Sequence, residues 1–235
     1  MPVPRLELRG VSKIYSNGGP PVEVLHDISL AAEPSTITAF LGRSGSGKTT
    51  LLNLAGAMDF PTRGEVLIDG RCTRGLSDSE LTALRRRRVG FVFQSFQLLP
   101  TLTALENVEL PMLLARAPNS RAAALDRLRW VGLEDKAASL PYQLSGGMMQ
   151  RVAIARALVH SPDLVIADEP TGNLDNASGA QVLDLLRQSA TRFGATVLLA
   201  THSGEAAAIA DVRIALRDGR IVGQTPWSAA GPPQP

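Results

Sequence analysis

The chain has 235 residues, of which 44% are hydrophobic and 20% charged. That ordinary globular balance excludes a coiled-coil rod, a collagen and a wholly disordered chain. Its 24 Lys and Arg against 22 Asp and Glu leave a net charge of +2, too small an excess to argue for or against nucleic acid.

In chain order, the N-terminal part has the period-two alternation of β structure: Leu6 and Leu8, then Val22 and Val24, then Ile28 and Leu30. An apolar run, 36–41, leads into a Gly-rich loop, and Leu51, Leu52 and Ala55 after it have helical spacing, which together make the βα unit of a parallel sheet. Residues 64–70 predict a short strand between turn residues, and Ser77 with Glu80 forms a capping box that predicts a helix start. A strand is predicted at 89–93. The region from about 95 to 160 is mostly helical, with one helix starting near Asn119–Ser120 and stopping at Gly132, and another following Ser145. Buried strands are predicted at 164–167 and 196–200, separated by an amphipathic helix with Val182, Leu183 and Leu186 on one face and Gly194 at its end. Asp218-Gly219 joins 213–216 to 220–222 as a hairpin. Residues 225–235 are rich in Pro and Gly and are expected to be a flexible tail after a folded domain of 1–224.

Gly42-Arg-Ser-Gly-Ser-Gly-Lys48-Thr49 fits G-x-x-x-x-G-K-[ST] at every fixed position, between a predicted strand and a predicted helix. Glycines let the backbone wrap a polyphosphate, so that successive N–H groups and the following helix N-terminus face negative charge. Lys48 adds a point charge for the β and γ phosphates, and the Thr49 hydroxyl is a Mg²⁺ ligand. About 120 residues further on, Asp168 and Glu169 directly follow a buried strand. Strand ends face the ligand crevice of open α/β sheets. One carboxylate there can hold Mg²⁺ and the other can orient the attacking water.

Leu144-Ser145-Gly146-Gly147 then precedes a helix-forming stretch that begins at Gln150. With this motif the sequence resembles an ATP-binding cassette (ABC) ATPase, the motor subunit of ABC transporters, from about residue 5 to 223. The resemblance implies an α/β fold of ABC-type P-loop NTPases. Its parts are a RecA-like αβ core, an N-terminal antiparallel β subdomain and an inserted α-helical subdomain. It assigns ATP to Tyr15, stacked on adenine, and to Gly42, Arg43, Ser44, Gly45, Ser46, Gly47, Lys48, Thr49 and Thr50. Thr49, Gln94 and Asp168 would hold Mg²⁺; Glu169, His202 and Gln94 would be catalytic; and Asp175 would belong to the D-loop 172–175. Ser145, Gly146, Gly147 and Gln150 would serve the ATP of a second copy, whose signature turn would complete the site in return. Two departures stand out. Met148 occupies a place where the family usually has Gln or Glu, and retained hydrolysis is expected because the Ser145 hydroxyl and the backbone N–H groups remain. The run Arg85 to Arg88 is expected to be a solvated helix end with local ion pairs.

The segments 91–100, 102–111 and 171–175 further resemble the group of lipoprotein-release, macrolide-export and FtsE-type ATPases. In that group the partner is an FtsX/MacB-like membrane permease, so a homodimer of this chain on permease subunits is expected, with no nucleic-acid partner. The apolar residues Phe96, Leu98, Leu99 and Leu102 are candidates for the docking surface or for the helical core. A conventional importer or exporter ATPase and a soluble assembly ATPase remain as alternatives. A chromosome-maintenance ATPase would need a long coiled-coil insertion, and only 97 residues separate Lys48 from Ser145. Cys72 stands alone, no secretory leader is legible, and no apolar stretch approaches the ~20 residues of a spanning helix. The expected location is cytoplasmic, peripheral on the inner face of a bacterial cell membrane.

Overall fold

The structure, a computed structural model, describes residues 3–16 and 18–226. Its strands are β1 (Leu6–Tyr15), β2 (Val22–Ala32), β3 (Ile37–Leu41), β4 (Arg63–Ile68), β5 (Arg71–Cys72), β6 (Val89–Phe93), β7 (Leu164–Asp168), β8 (Thr196–Thr201), β9 (Val212–Arg217) and β10 (Arg220–Pro226). Its α-helices are α1 (Lys48–Ala55), α2 (Asp78–Arg88), α3 (Ala104–Leu114), α4 (Ser120–Trp130), α5 (Gly146–Leu158), α6 (Asn176–Phe193) and α7 (Gly204–Ala208).

Two sheets form. One is antiparallel in the order β2-β1-β4-β5; the other runs β10-β9-β3-β8-β7-β6 and is parallel except for its terminal β9–β10 hairpin. The central strands are apolar at nearly every position because both faces are covered. Along β7, Leu164 and Ile166 join a core with Leu51, Leu52 and Leu54 of α1 and with Leu6, Leu8 and Leu25 of the antiparallel sheet. Val165 and Ala167 point the other way, into a core with Val152 and Ile154 of α5 and Val182 and Leu186 of α6. α3 and α4 extend that second core outward through Val108 and Leu128. The parallel strand ends thus present Leu41, Phe93, Asp168 and Thr201 along one edge, where the site forms.

The helix punctuation follows local chemistry. Ser77 and Glu80 cap each other at the start of α2, and Thr103 and Glu106 do the same at α3. Gly194 ends α6 in the left-handed region. α4 starts after Asn119, but without a side-chain cap bond from that residue. β10 continues through Thr225 and Pro226, which pair with Arg213 and Val212. The strand therefore runs two residues into the segment expected to be a tail, because its ladder partner extends that far; 227–235 lie outside the described residues. The arginine run divides among tasks. Arg85 donates to the Ala57 carbonyl at 2.7 Å, Arg88 pairs with Asp163, and Arg86 and Arg87 have no ion-pair partner among the described residues.

Candidate nucleotide site

The loop between β3 and α1 is held in a tight cradle. Gly47 has φ +99°, and a Cβ there would come within 2.8 Å of Leu25 Cδ2 and 3.1 Å of the Val24 carbonyl oxygen, so no other residue fits without displacement. The first N–H groups of α1 have no intrahelical acceptor and face the cleft. Lys48 is 7% exposed, and its Nζ donates to the carbonyls of Gly42 (2.7 Å) and Arg43 (3.2 Å), which fixes the ammonium at the cleft wall. The Ser46 hydroxyl is buried and has no partner among the described residues. The cleft has a volume of about 660 Å³. Arg43, Ser44, Gly45, Gly47, Lys48, Thr49 and Thr50 line it, as do Gln94, Asp168, Glu169 and His202 from three different strand ends. Val24 lines it too, a residue that nothing in the β2 alternation marks as ligand-facing.

Thr49 Oγ1 donates to Asp168 Oδ2 at 2.8 Å. Burial raises the Asp168 carboxyl above the usual carboxylate range; the Thr49 bond opposes this, the neighbouring Glu169 adds to it, and Lys48 opposes it. Glu169 lies just past β7 with φ +47°, a left-handed conformation that costs energy for a side-chain-bearing residue. Its Oε1 is 3.7 Å from Lys48 Nζ, and its Oε2 is 3.0 Å from His202 Nδ1. A carboxylate accepts, so Nδ1 carries the hydrogen and Nε2 remains free. Gln94 and Asn173 exchange two bonds of 3.2 Å, Gln94 Nε2 to Asn173 Oδ1 and Asn173 Nδ2 to the Gln94 carbonyl, which tie the β6 end to the D-loop.

Tyr15 stands beside the cleft. Its hydroxyl donates to Asp59 at 2.9 Å, and Lys13, which pairs with Asp59 at 2.6 Å, lies 4.8 Å from the ring centroid. Burial, reinforced by Asp59, raises the phenol above its ordinary range. Ser145, Gly146 and Gly147 do not line the cleft. They sit on the helical side, where Ser145 Oγ caps α5 by accepting from the Met148 N–H at 3.3 Å. Gly147 packs on the start of α6; a Cβ there would stand 2.5 Å from Ser178 Oγ. Asp175 caps α6, and bonds from the Ser178 N–H and hydroxyl hold its carboxyl below the usual range. Gln150, grouped with the surface turn from sequence, is instead 0% exposed and directed inward; its place on α5 faces the core.

The residues present suit Mg²⁺ with a nucleotide. Thr49, Asp168 and Gln94 offer hard oxygen ligands beside a glycine cradle that a Cβ would fill. Among the described residues no group of three or more His, Cys, Asp or Glu stands together as a metal site.

A second concavity, a groove of about 600 Å³, lies where β6 meets α2 and α3. Met58, Phe91, Phe93, Leu110 and Leu114 line it, with Arg86 among its basic residues. Of the segment after Gln94, only Gln97 borders the groove. Phe96, Leu98, Leu99 and Leu102 are not in its lining; Leu98 packs against the helical core and Leu99 is exposed.

A P-loop cradle, a buried aspartate on its threonine, and a glutamate–histidine pair at neighbouring parallel strand ends define a nucleotide-hydrolysing cassette. The ABC transporter family model matches residues 25–172, and the chain belongs to this family of ATPases. It is 47% identical over 219 residues to the macrolide export ATP-binding/permease protein MacB of Rhodopseudomonas palustris, covering 92% of this chain and 33% of that protein. The chain thus spans about a third of the length of its MacB relatives. An uncharacterized ABC transporter ATP-binding protein of Methanocaldococcus jannaschii is 46% identical over 219 residues, covering 92% of this chain and 97% of that protein. The cassette MJ0796, solved as a dimer in a post-hydrolysis state with ADP and Pi, superposes with a TM-score of 0.87 at 41% identity, covering 94% of this chain and 98% of that one. No described helix is long and apolar enough to cross a membrane.

Proposed function

We propose that this chain is the nucleotide-binding subunit of a MacB-like transporter, in which two copies close head to tail on two ATP molecules and drive a membrane permease. One observation carries the reading. Lys48, Asp168, Glu169 and His202 converge on one cleft, while Ser145 to Gly147, a capped helix N-terminus suited to anions, lie outside it on the same chain. A second copy related by two-fold symmetry would bring that turn to the cleft, and the γ-phosphate would be the bridge that ATP offers and ADP lacks.

Within the site, Lys48 and the N–H groups of the cradle hold the β and γ phosphates, and Tyr15, braced by Asp59, offers its ring to adenine. Thr49, Asp168 and Gln94 are the residues that would hold Mg²⁺. Bound there, the ion would neutralise charge on the phosphate oxygens. Glu169 accepts the proton of the attacking water as the water oxygen bonds to the γ-phosphorus; the bond from that phosphorus to the bridging oxygen breaks, and its electrons leave with ADP. His202 holds Glu169 through Nδ1–H, which turns the other edge of its ring toward the γ-phosphate. The apolar groove at Phe91, Leu110 and Leu114 is the docking place for a permease helix. On this reading the subunit works at the cytoplasmic face of the membrane.

The experiment is a pull-down of Glu169→Gln with ATP and Mg²⁺ from detergent-solubilised membranes of its own host, read by mass spectrometry. A four-span permease with a large external domain supports the proposal. A six-span permease would move the reading to conventional transport, and recovery of soluble proteins alone would remove the membrane role.

A further inference from the structure

We infer that Gln150 is a positioning residue that locks the turn carrying Glu169 to the helix whose N-terminus serves the other copy's nucleotide; this rests on the dimeric reading above. Gln150 is fully buried on α5, and its Nε2 donates to the Pro170 carbonyl at 2.8 Å. Pro170 directly follows Glu169 and has no N–H of its own, so its carbonyl is its one main-chain handle. Glu169 itself is held in the left-handed region, φ +47°. Its N–H donates to the Ala200 carbonyl at 2.9 Å, and its carbonyl accepts from the Gly172 N–H at 3.0 Å. Gln150 supplies the third anchor, on the far side of the strained residue, and of the three it alone comes from the helical layer.

The amide is not there for packing. Its Oε1 is buried and has no donor among the described residues, which is a standing cost to the fold. Met or Leu would fill a similar volume with no orphaned acceptor. A buried amide with one half unsatisfied marks the other half, the bond to Pro170, as the feature that matters. The position makes the bond informative. Gln150 lies five residues after Ser145, roughly one and a half turns along one continuous helix. A shift of the Ser145 turn against a partner's phosphate is therefore carried along α5 to the main chain beside this copy's own Glu169. The D-loop path through Ser178 and Asp175 runs in parallel and does not involve Gln150.

The test is Gln150→Met in the full chain. The expected result is a fall of about tenfold or more in kcat with KM for ATP within about twofold, since the phosphate cradle is untouched. The Glu169→Gln/Gln150→Met double variant should still form the ATP-dependent dimer as Glu169→Gln does, which separates hydrolytic geometry from nucleotide binding. A kcat within twofold of wild type in a folded variant overturns the inference, and so does loss of the ATP-driven dimer in proportion to the loss of rate. If Gln150→Met does not fold, Gln150→Leu carries the same expectations. Failure of both to fold would make Gln150 a packing residue and overturn the proposal. Absence of hydrolysis in wild type, or of any dimer in Glu169→Gln alone, would instead sink the dimeric reading on which it rests.

Discussion

Replacing Glu169 by Gln removes one negative charge and changes almost no volume. The carboxylate is mostly buried, with Lys48 Nζ at 3.7 Å and His202 Nδ1 at 3.0 Å, so it has the low-dielectric surroundings in which a base acts efficiently. Positioned general bases contribute on the order of 10²–10⁴ in rate, about 3–5.5 kcal/mol of barrier. ATP affinity should move the other way. At an effective dielectric of about 20, the Lys48–Glu169 attraction is on the order of 4 kcal/mol before desolvation and salt, and its removal frees Lys48 for phosphate. The assay is steady-state phosphate release alongside nucleotide binding on the same preparation. The expected outcome is a rate at least about 100-fold lower with ATP binding equal or tighter. A variant that hydrolyses ATP at the wild-type rate would refute Glu169 as the base, and one that loses ATP binding would refute the placement of its charge.

Other expectations follow from the same geometry. Gly47→Ala forces a Cβ to within 2.8 Å of Leu25 at φ +99°, so calorimetry should show ATP affinity reduced by about tenfold or more; unchanged affinity would mean the cradle is not the phosphate site. Burial raises Asp168, so the folded chain keeps a proton that the unfolded chain has released. Asp168 therefore contributes stability that declines as pH rises from about 4 toward its raised value, against the opposite trend of lowered carboxyls such as Asp59 and Asp175, so the difference between wild-type and Asp168→Asn melts of the nucleotide-free chain should show that decline. Met148→Gln should raise the rate by less than about 100-fold, or ~2.7 kcal/mol of barrier, because Ser145 and the backbone N–H groups are already in place. Leu114→Glu puts a charge in the apolar groove and should strip the permease from the pull-down while the ATP-driven dimer of Glu169→Gln persists.

Features governed by short-range spacing were legible in the sequence. The phosphate loop, the acid pair at the end of β7 and the box of Ser77 and Glu80 are each set by a few neighbouring residues. Thr103 and Glu106 carried the same signal, and it marks the start of α3. What the sequence hid depends on distant contacts. Gln150 sits just beyond a surface turn, and only the core packed against α5 turns it inward. Asp59 meets Tyr15 across 44 residues of chain, and the apolar groove draws on β6, α2 and α3 at once. The apolar segment after Gln94 divides between the two roles open to it from sequence: Leu98 packs against the helical core while Leu99 stays exposed, a split set by contacts distant in sequence.

The most direct measurement of the shared site is light scattering of Glu169→Gln in ATP and Mg²⁺, with and without Ser145→Arg. The expected result is a monomer without nucleotide, a dimer with ATP, and a monomer again when the bulky, charged guanidinium introduced by Ser145→Arg blocks the capped turn. A double variant that dimerises as fully as Glu169→Gln alone would contradict a site assembled from one copy's Lys48 and the other copy's Ser145.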